Sequence, residues 1–242
     1  MANIKMKGII LSEHNMGDFD KMLTMLTPNV GVISCVAKGA RRPKSALLAG
    51  TQMFCFGDYL MYKGTNTYHI NSAETIEMFY NLRVDLDKLK YAVHINKIIL
   101  DVTHENQNSF TILQLLLNTL YTISETDKNL EFVLSIFKLR LLTILGYTPR
   151  IQKCACCEKE QKITHFSIKN NGLQCLACSK QDTSAISVTE STINAIKYTI
   201  TCPPKKLYSF NLKGDSLNEF NLIAKIYFNE KLEKEYKIEK IF

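Results

Sequence analysis

The chain has 242 residues, 46% hydrophobic and 22% charged, with a net charge of +7. This supports one large domain or two to three small ones around a real core. Eight cysteines are too sparse here for a disulfide scaffold. The most apolar stretch, Leu130 to Leu145, is interrupted by Glu131, Lys138 and Arg140, which excludes a membrane span.

The charge excess is modest and points to a polyanionic partner. The first apolar run, Ile9-Ile10-Leu11, is too short for a signal peptide. With Cys35, Cys55 and Cys202 scattered through apolar or strand-like surroundings, the expectation is a soluble protein of the reducing cytoplasm, with no membrane association.

From Lys5 to Ala73 the chain reads as short strands. Lys7–Leu11 is one, Lys21–Thr27 a second, and Val32–Ala37, between Gly31 and Gly39, a third. Met53–Tyr62 and Thr67–Ala73 form an expected hairpin around Lys63-Gly64-Thr65-Asn66. Five strands in so short a span suggest a small closed barrel. Between the third strand and the hairpin lies Lys38-Gly39-Ala40-Arg41-Arg42-Pro43-Lys44-Ser45, with four basic residues and no acidic one. Gly39 and Pro43 mark it as a loop, and a cationic loop on a small barrel suits a nucleic-acid backbone. Phe19, Phe54, Phe56, Tyr59, Tyr62 and Tyr68 are candidates for stacking on bases, although most of them belong to the core.

From Met78 the period becomes helical. Leu82, Leu86, Leu89, Val93, Ile98-Ile99 and Val102 predict one or two helices up to His104. Ser109 is placed to cap a helix over Phe110–Ser124, and Thr126-Asp127 to open a third, apolar on most of its circumference, to Leu145. Gly146 and Pro149 end it. Further on, Ser187-Val188-Thr189-Glu190 and Ser216-Leu217-Asn218-Glu219 read as capping boxes for helices to about Thr201 and Leu232. The tail, Lys231 to Lys240, alternates in charge and is expected to be solvated.

Between these helices stands Cys154-Ala155-Cys156-Cys157, followed after seventeen residues by Cys175-Leu176-Ala177-Cys178. Two Cys-x-x-Cys turns each aim a pair of thiolates into a small volume, and together they supply a closed tetrahedral site for one structural Zn²⁺. A closed site leaves no position for water, so it holds structure and does no chemistry. Cys154, Cys157, Cys175 and Cys178 are the preferred ligands. Cys156 is a fifth candidate, set aside because its spacing does not match the second knuckle. The polar segment between the knuckles has apolar residues at Ile163 and Phe166–Ile168, enough for one short hairpin. The metal thus supplies the folding energy that a core would otherwise give.

No catalytic constellation emerges. The histidines His14, His69, His94, His104 and His165 are isolated, and neither a phosphate-cradling loop nor a nucleophile elbow is present. Asp18 and Asp20 read as loop-capping residues. The expectation is a protein that is not an enzyme.

Several stretches resemble a known family. Ile10-Leu11-Ser12, Gly17-Asp18-Phe19-Asp20-Lys21, Leu26-Thr27, Gly31, the run Val36 to Ser45, Gly146-Tyr147-Thr148-Pro149 and the paired knuckles are similar to the bacterial recombination mediator family RecO. The chain departs in having Cys156 within the first knuckle and Glu158 where a glycine is usual. The resemblance implies an α+β multidomain protein: an N-terminal OB-fold barrel (1–78), a helical bundle (79–150 and 182–242) and an inserted zinc ribbon (151–181). It also implies non-enzymatic binding and annealing of single- and double-stranded DNA in recombinational repair by the RecF pathway. Partners would be RecR and the single-stranded DNA-binding protein, with RecA loaded indirectly. On this reading Lys38, Arg41, Arg42 and Lys44 contact phosphates. The alternative is a zinc-ribbon adaptor that binds only proteins.

Overall fold

The computed structural model describes residues 3–65 and 67–238. Met1, Ala2, Asn66 of the expected hairpin turn, and Glu239 and Lys240 of the expected solvated tail lie outside the described residues, as do the final two positions. Five strands form first: β1 (Asn3–Met16), β2 (Asp20–Thr27), β3 (Gly31–Ala37), β4 (Phe56–Lys63) and β5 (Tyr68–Glu77). They close into a barrel in the order β1-β2-β3-β5-β4. All neighbours are antiparallel except β3 and β5, whose parallel contact at Cys35–Tyr68 and Val36–His69 seals the barrel.

Barrel closure depends on a bend in β1. Its first half, Asn3–Ile9, pairs with β4 and its second half, Ile9–Met16, pairs with β2. The register shifts between Ile10 and Ser12, so Leu11 is a bulge residue, and a bulge bends a strand and increases its twist. The Leu11 carbonyl accepts a hydrogen bond from Asn96 Nδ2 at 2.9 Å, so a helix supplies the partner that the ladder lacks. Ile10, Leu23, Met25, Ile33, Met61 and Ile70 fill the interior. Tyr59 is buried with them, and its hydroxyl donates to the Gly50 carbonyl at 2.8 Å.

Both β1 and β5 outrun their sequence patterns. The ends of β1 are solvated on both faces, so alternation is visible only around Lys7–Leu11. Met53–Cys55, expected at the start of a strand, lies in a turn instead. Phe54 is buried there with a φ of 69°, and its amide donates to the Ile10 carbonyl at 2.8 Å.

The first compact unit runs to Glu125, takes in Ile238 as well, and includes α1 (Asn81–Val84), α2 (Leu86–Val102) and α3 (Phe110–Glu125). Asp85 separates α1 from α2, its carboxylate accepting from the amides of Asp87 at 2.8 Å and Lys88 at 3.1 Å. At the start of α3 the Ser109 hydroxyl does not cap; it donates to the Gln107 carbonyl.

The second unit, Thr126–Lys237, contains α4 (Leu130–Ile144), α6 (Glu190–Thr201) and α7 (Gly214–Lys231). Its small sheet is built from β6 (Ile163–Ser167), β7 (Gly172–Cys175) and β8 (Ala185–Ser187), with a one-turn helix, α5 (Leu176–Ser179), after β7. α4 is buried on most of its circumference, as its composition predicts. It begins at Leu130 and not at Thr126, because the Asn129 side chain caps it by accepting from the Phe132 amide at 2.9 Å. The expected capping boxes are replaced by one tertiary cap. Thr189 caps α6, and Glu219 of α7 accepts from the Thr189 amide at 2.8 Å and from the hydroxyls of Thr189 and Thr192 at 2.9 and 2.5 Å. Glu219 therefore ties two helices together and does not cap its own.

Lys138, on α4, is buried, with its ammonium 5.5 Å from the centre of the Phe228 ring. Burial, reinforced by the positive charge of Lys225 and opposed by Glu131, lowers its pKa to about 8 from an ordinary 10.5. Between those values the unfolded chain holds a proton that the folded chain has lost, so stability should rise as pH increases from about 8 to about 10. Lys138→Met, similar in shape and uncharged, should stabilise the fold by about 1–3 kcal/mol at pH 7 and flatten that rise. Urea unfolding at several pH values measures both effects.

Candidate metal centre and nucleic-acid interface

The metal centre is assembled by backbone pairing around the first knuckle. Ala155 donates its amide to the Leu173 carbonyl at 2.7 Å, while Arg150 exchanges hydrogen bonds with Asn171 and Leu173 on the edge of β7. Gly172 permits this approach, since a Cβ there would lie 2.3 Å from the Arg150 carbonyl oxygen. On the far side, Phe166 of β6 packs edge-to-face against Tyr227 of α7 at 5.4 Å, pinning the sheet to a helix. The expected hairpin is thus β6–β7. The third strand, β8, is only three residues long and carries no pattern that sequence could reveal.

The Sγ atoms of Cys154, Cys157, Cys175 and Cys178 all lie within 4.8 Å of one another. A tetrahedral ion with Zn–S bonds of about 2.3 Å would set its thiolates about 3.8 Å apart, so a small contraction closes the site. Cys157 and Cys175 are already at 4.0 Å, and the Cys175 amide donates to Cys154 Sγ at 3.4 Å. Cys154 and Cys175 are buried, whereas Cys156 is exposed and is not one of this group. The four soft donors fit Zn²⁺.

Burial resists ionisation of Cys154, but the backbone amides of Cys157, Cys175 and Cys156 outweigh it and bring the thiol to about 6. Hydrogen bonding to Cys175, with burial second, pushes the Cys178 thiol the other way. A divalent cation would supply the charge that lets all four ionise. Glu158, where the resemblance leads one to expect glycine, has a φ of 59°. That backbone suits glycine, and here the glutamate is held by Lys153 at 3.0 Å and lies 3.9 Å from Arg150.

The second candidate site follows β3. Lys38, Arg41, Arg42 and Lys44 are all exposed, and among the described residues none has a carboxylate within ion-pairing distance. The loop that carries them is fixed at several points. Ala40 is buried in the barrel core, and Gly39, with a φ of 65°, donates its amide to Asp20 Oδ1 at 2.7 Å. Arg41 donates its amide to the Phe19 carbonyl at 2.9 Å and its Nη1 to the Gly17 carbonyl at 3.2 Å. Asp20 thus performs the loop-capping role read from the sequence. Among the aromatic candidates, Phe54, Tyr59 and Tyr68 are buried, and Phe56 and Tyr62 half-buried. Phe19 is 48% exposed, on the turn to which the basic loop is fastened.

Comparison with known proteins fits this architecture. The model for the recombination protein O N terminal matches residues 1–79, and that for the recombination protein O C terminal matches residues 83–238. DNA repair protein RecO of Acetivibrio thermocellus is 38% identical over 98% of this chain and 94% of its own length. The RecO proteins of Alkaliphilus metalliredigens and a Thermoanaerobacter species are 33% and 32% identical, over 93% and 98% of this chain and 92% and 96% of their own lengths. A closed five-stranded barrel, helices, a four-cysteine cluster and matches to both family models along nearly all of the sequence place the chain in the RecO family of DNA repair and recombination proteins.

Proposed function

We propose that this chain is a non-enzymatic recombination mediator. It binds single- and double-stranded DNA, anneals complementary strands, and works with RecR and the single-stranded DNA-binding protein to load RecA in the cytoplasm. The observation that carries the reading is the set of four exposed cations, Lys38, Arg41, Arg42 and Lys44, on a loop clamped to the barrel. Such a loop presents positive charge at a fixed place, which suits the regular negative charge of a nucleic-acid backbone. Family membership supports the same reading.

In this proposal residues 1–78 are the nucleic-acid-binding domain, 79–150 and 182–242 the helical bundle, and 151–181 the zinc ribbon. Zn²⁺ is held by Cys154, Cys157, Cys175 and Cys178 and supplies rigidity alone. Among the described residues no helix is long and apolar enough to cross a membrane.

The test is fluorescence anisotropy of a labelled single-stranded oligonucleotide titrated with the metal-loaded protein over a range of salt. Four phosphate contacts at roughly 0.7 each give a slope of about −3 in log K against log salt. A folded, metallated protein that ignores the oligonucleotide in dilute buffer would overturn the reading and favour the protein-only adaptor.

A further inference from the structure

We infer that Phe19 is a nucleobase-stacking platform that adds to the basic loop's phosphate contacts an interaction open only to single strands. The inference rests on the DNA-binding reading above and goes beyond it by naming the residue and the part of the nucleotide it recognises.

Phe19 lies in the short turn between β1 and β2, and the residue is 48% exposed. That leaves about half of an aromatic side chain within reach of a ligand on the turn to which the basic loop is tied. The Arg42 guanidinium sits 5.2 Å from the ring centre. This cation–π contact holds a phosphate-binding charge over one face of the ring, so a base would stack on the other.

The turn is also preorganised. The carbonyls of Gly17 and Phe19 and the carboxylate of Asp20 accept hydrogen bonds from Arg41 Nη1, the Arg41 amide and the Gly39 amide. Turn and loop are therefore tied together, and less ordering cost falls on the binding step. A base with an open π face can stack on such a ring whatever its sequence, while the loop cations take its phosphates. In a duplex the base faces are already stacked on their neighbours, so only an unpaired strand can use the ring.

The test compares three probes: oligo(dT), an abasic oligomer of equal length and charge, and a blunt duplex. Stacking contributes roughly 1–3 kcal/mol per base, which corresponds to about a 5- to 150-fold change in affinity. Phe19→Ala should lose about that much for oligo(dT), with little change for the abasic oligomer and the duplex. Phe19→Leu keeps an apolar side chain without a π face and should behave like Phe19→Ala. The protein has no tryptophan, so Phe19→Trp adds a single reporter. Its fluorescence should be quenched by oligo(dT) and left unchanged by the abasic oligomer.

Equal losses for all three probes would mean that the ring only positions Arg42, and the inference would fall. Unchanged oligo(dT) affinity in Phe19→Ala, with a silent Phe19→Trp, would also overturn it while leaving the DNA-binding reading intact. Failure of the wild-type protein to bind any of the probes would overturn that reading and this inference with it.

Discussion

Replacing Cys154 with serine should reduce the bound metal from one ion per chain to nearly none, whereas Cys156→Ser should keep it. The difference follows from position. Cys154 is buried in the four-thiol cluster, and Cys156 is exposed outside it. Structural zinc binding contributes on the order of 10 kcal/mol or more to folding of small zinc modules, and here it would add to the few backbone hydrogen bonds that join the first knuckle to β7. Metal analysis of the two purified variants reads the first effect. Hydrogen exchange reads the second: amides of β6 and β7 should lose protection in Cys154→Ser, while those of the barrel keep theirs. The edge-to-face contact of Phe166 with Tyr227 is independent of the ion, so the sheet should loosen without the whole of its unit unfolding. A Cys154→Ser protein that retains a full complement of metal would remove this cysteine from the ligand set.

The second large effect is expected from replacing Lys38, Arg41, Arg42 and Lys44 together with alanine. Each phosphate contact on a single strand contributes roughly 0.7 to the salt slope, so the variant should lose about three units of it. Near 0.1 M salt this corresponds to a loss of about 10²- to 10³-fold in affinity. Stability should change little, because the four side chains are exposed and Ala40 continues to anchor the loop. Thermal unfolding serves as the control, and anisotropy titrations at several salt concentrations give the slope. If both affinity and slope match the wild type, the loop is not the DNA contact.

Much of the architecture was legible from local signals. The boundaries of α4 near Gly146, the β6–β7 hairpin and most of the barrel strands follow from periodicity and turn residues within a few positions of one another. Errors arose where a signal looked local and was not. Ser187–Glu190 and Ser216–Glu219 both match a capping box, yet Glu219 satisfies the end of a different helix. Residues 53–55 are apolar enough for a strand, but pairing with the bulge region of β1 turns Phe54 into a left-handed turn residue.

The cysteine spacing by itself pointed to a four-thiol cluster able to hold a soft metal, because four thiols on two tight turns need only a short connecting segment to meet. The density of positive charge over residues 38–44 likewise marked a basic loop, and it is the barrel that carries the loop and the family resemblance that make phosphate contact the proposal. Only the tertiary structure decided that β3 and β5 close the barrel, that Asn96 satisfies the bulge in β1, and that Phe19 alone among the aromatic candidates stands exposed beside the basic loop. Spacing and charge are properties of neighbours along the chain. Which face of a side chain meets water depends on strands and helices brought together from far apart in it.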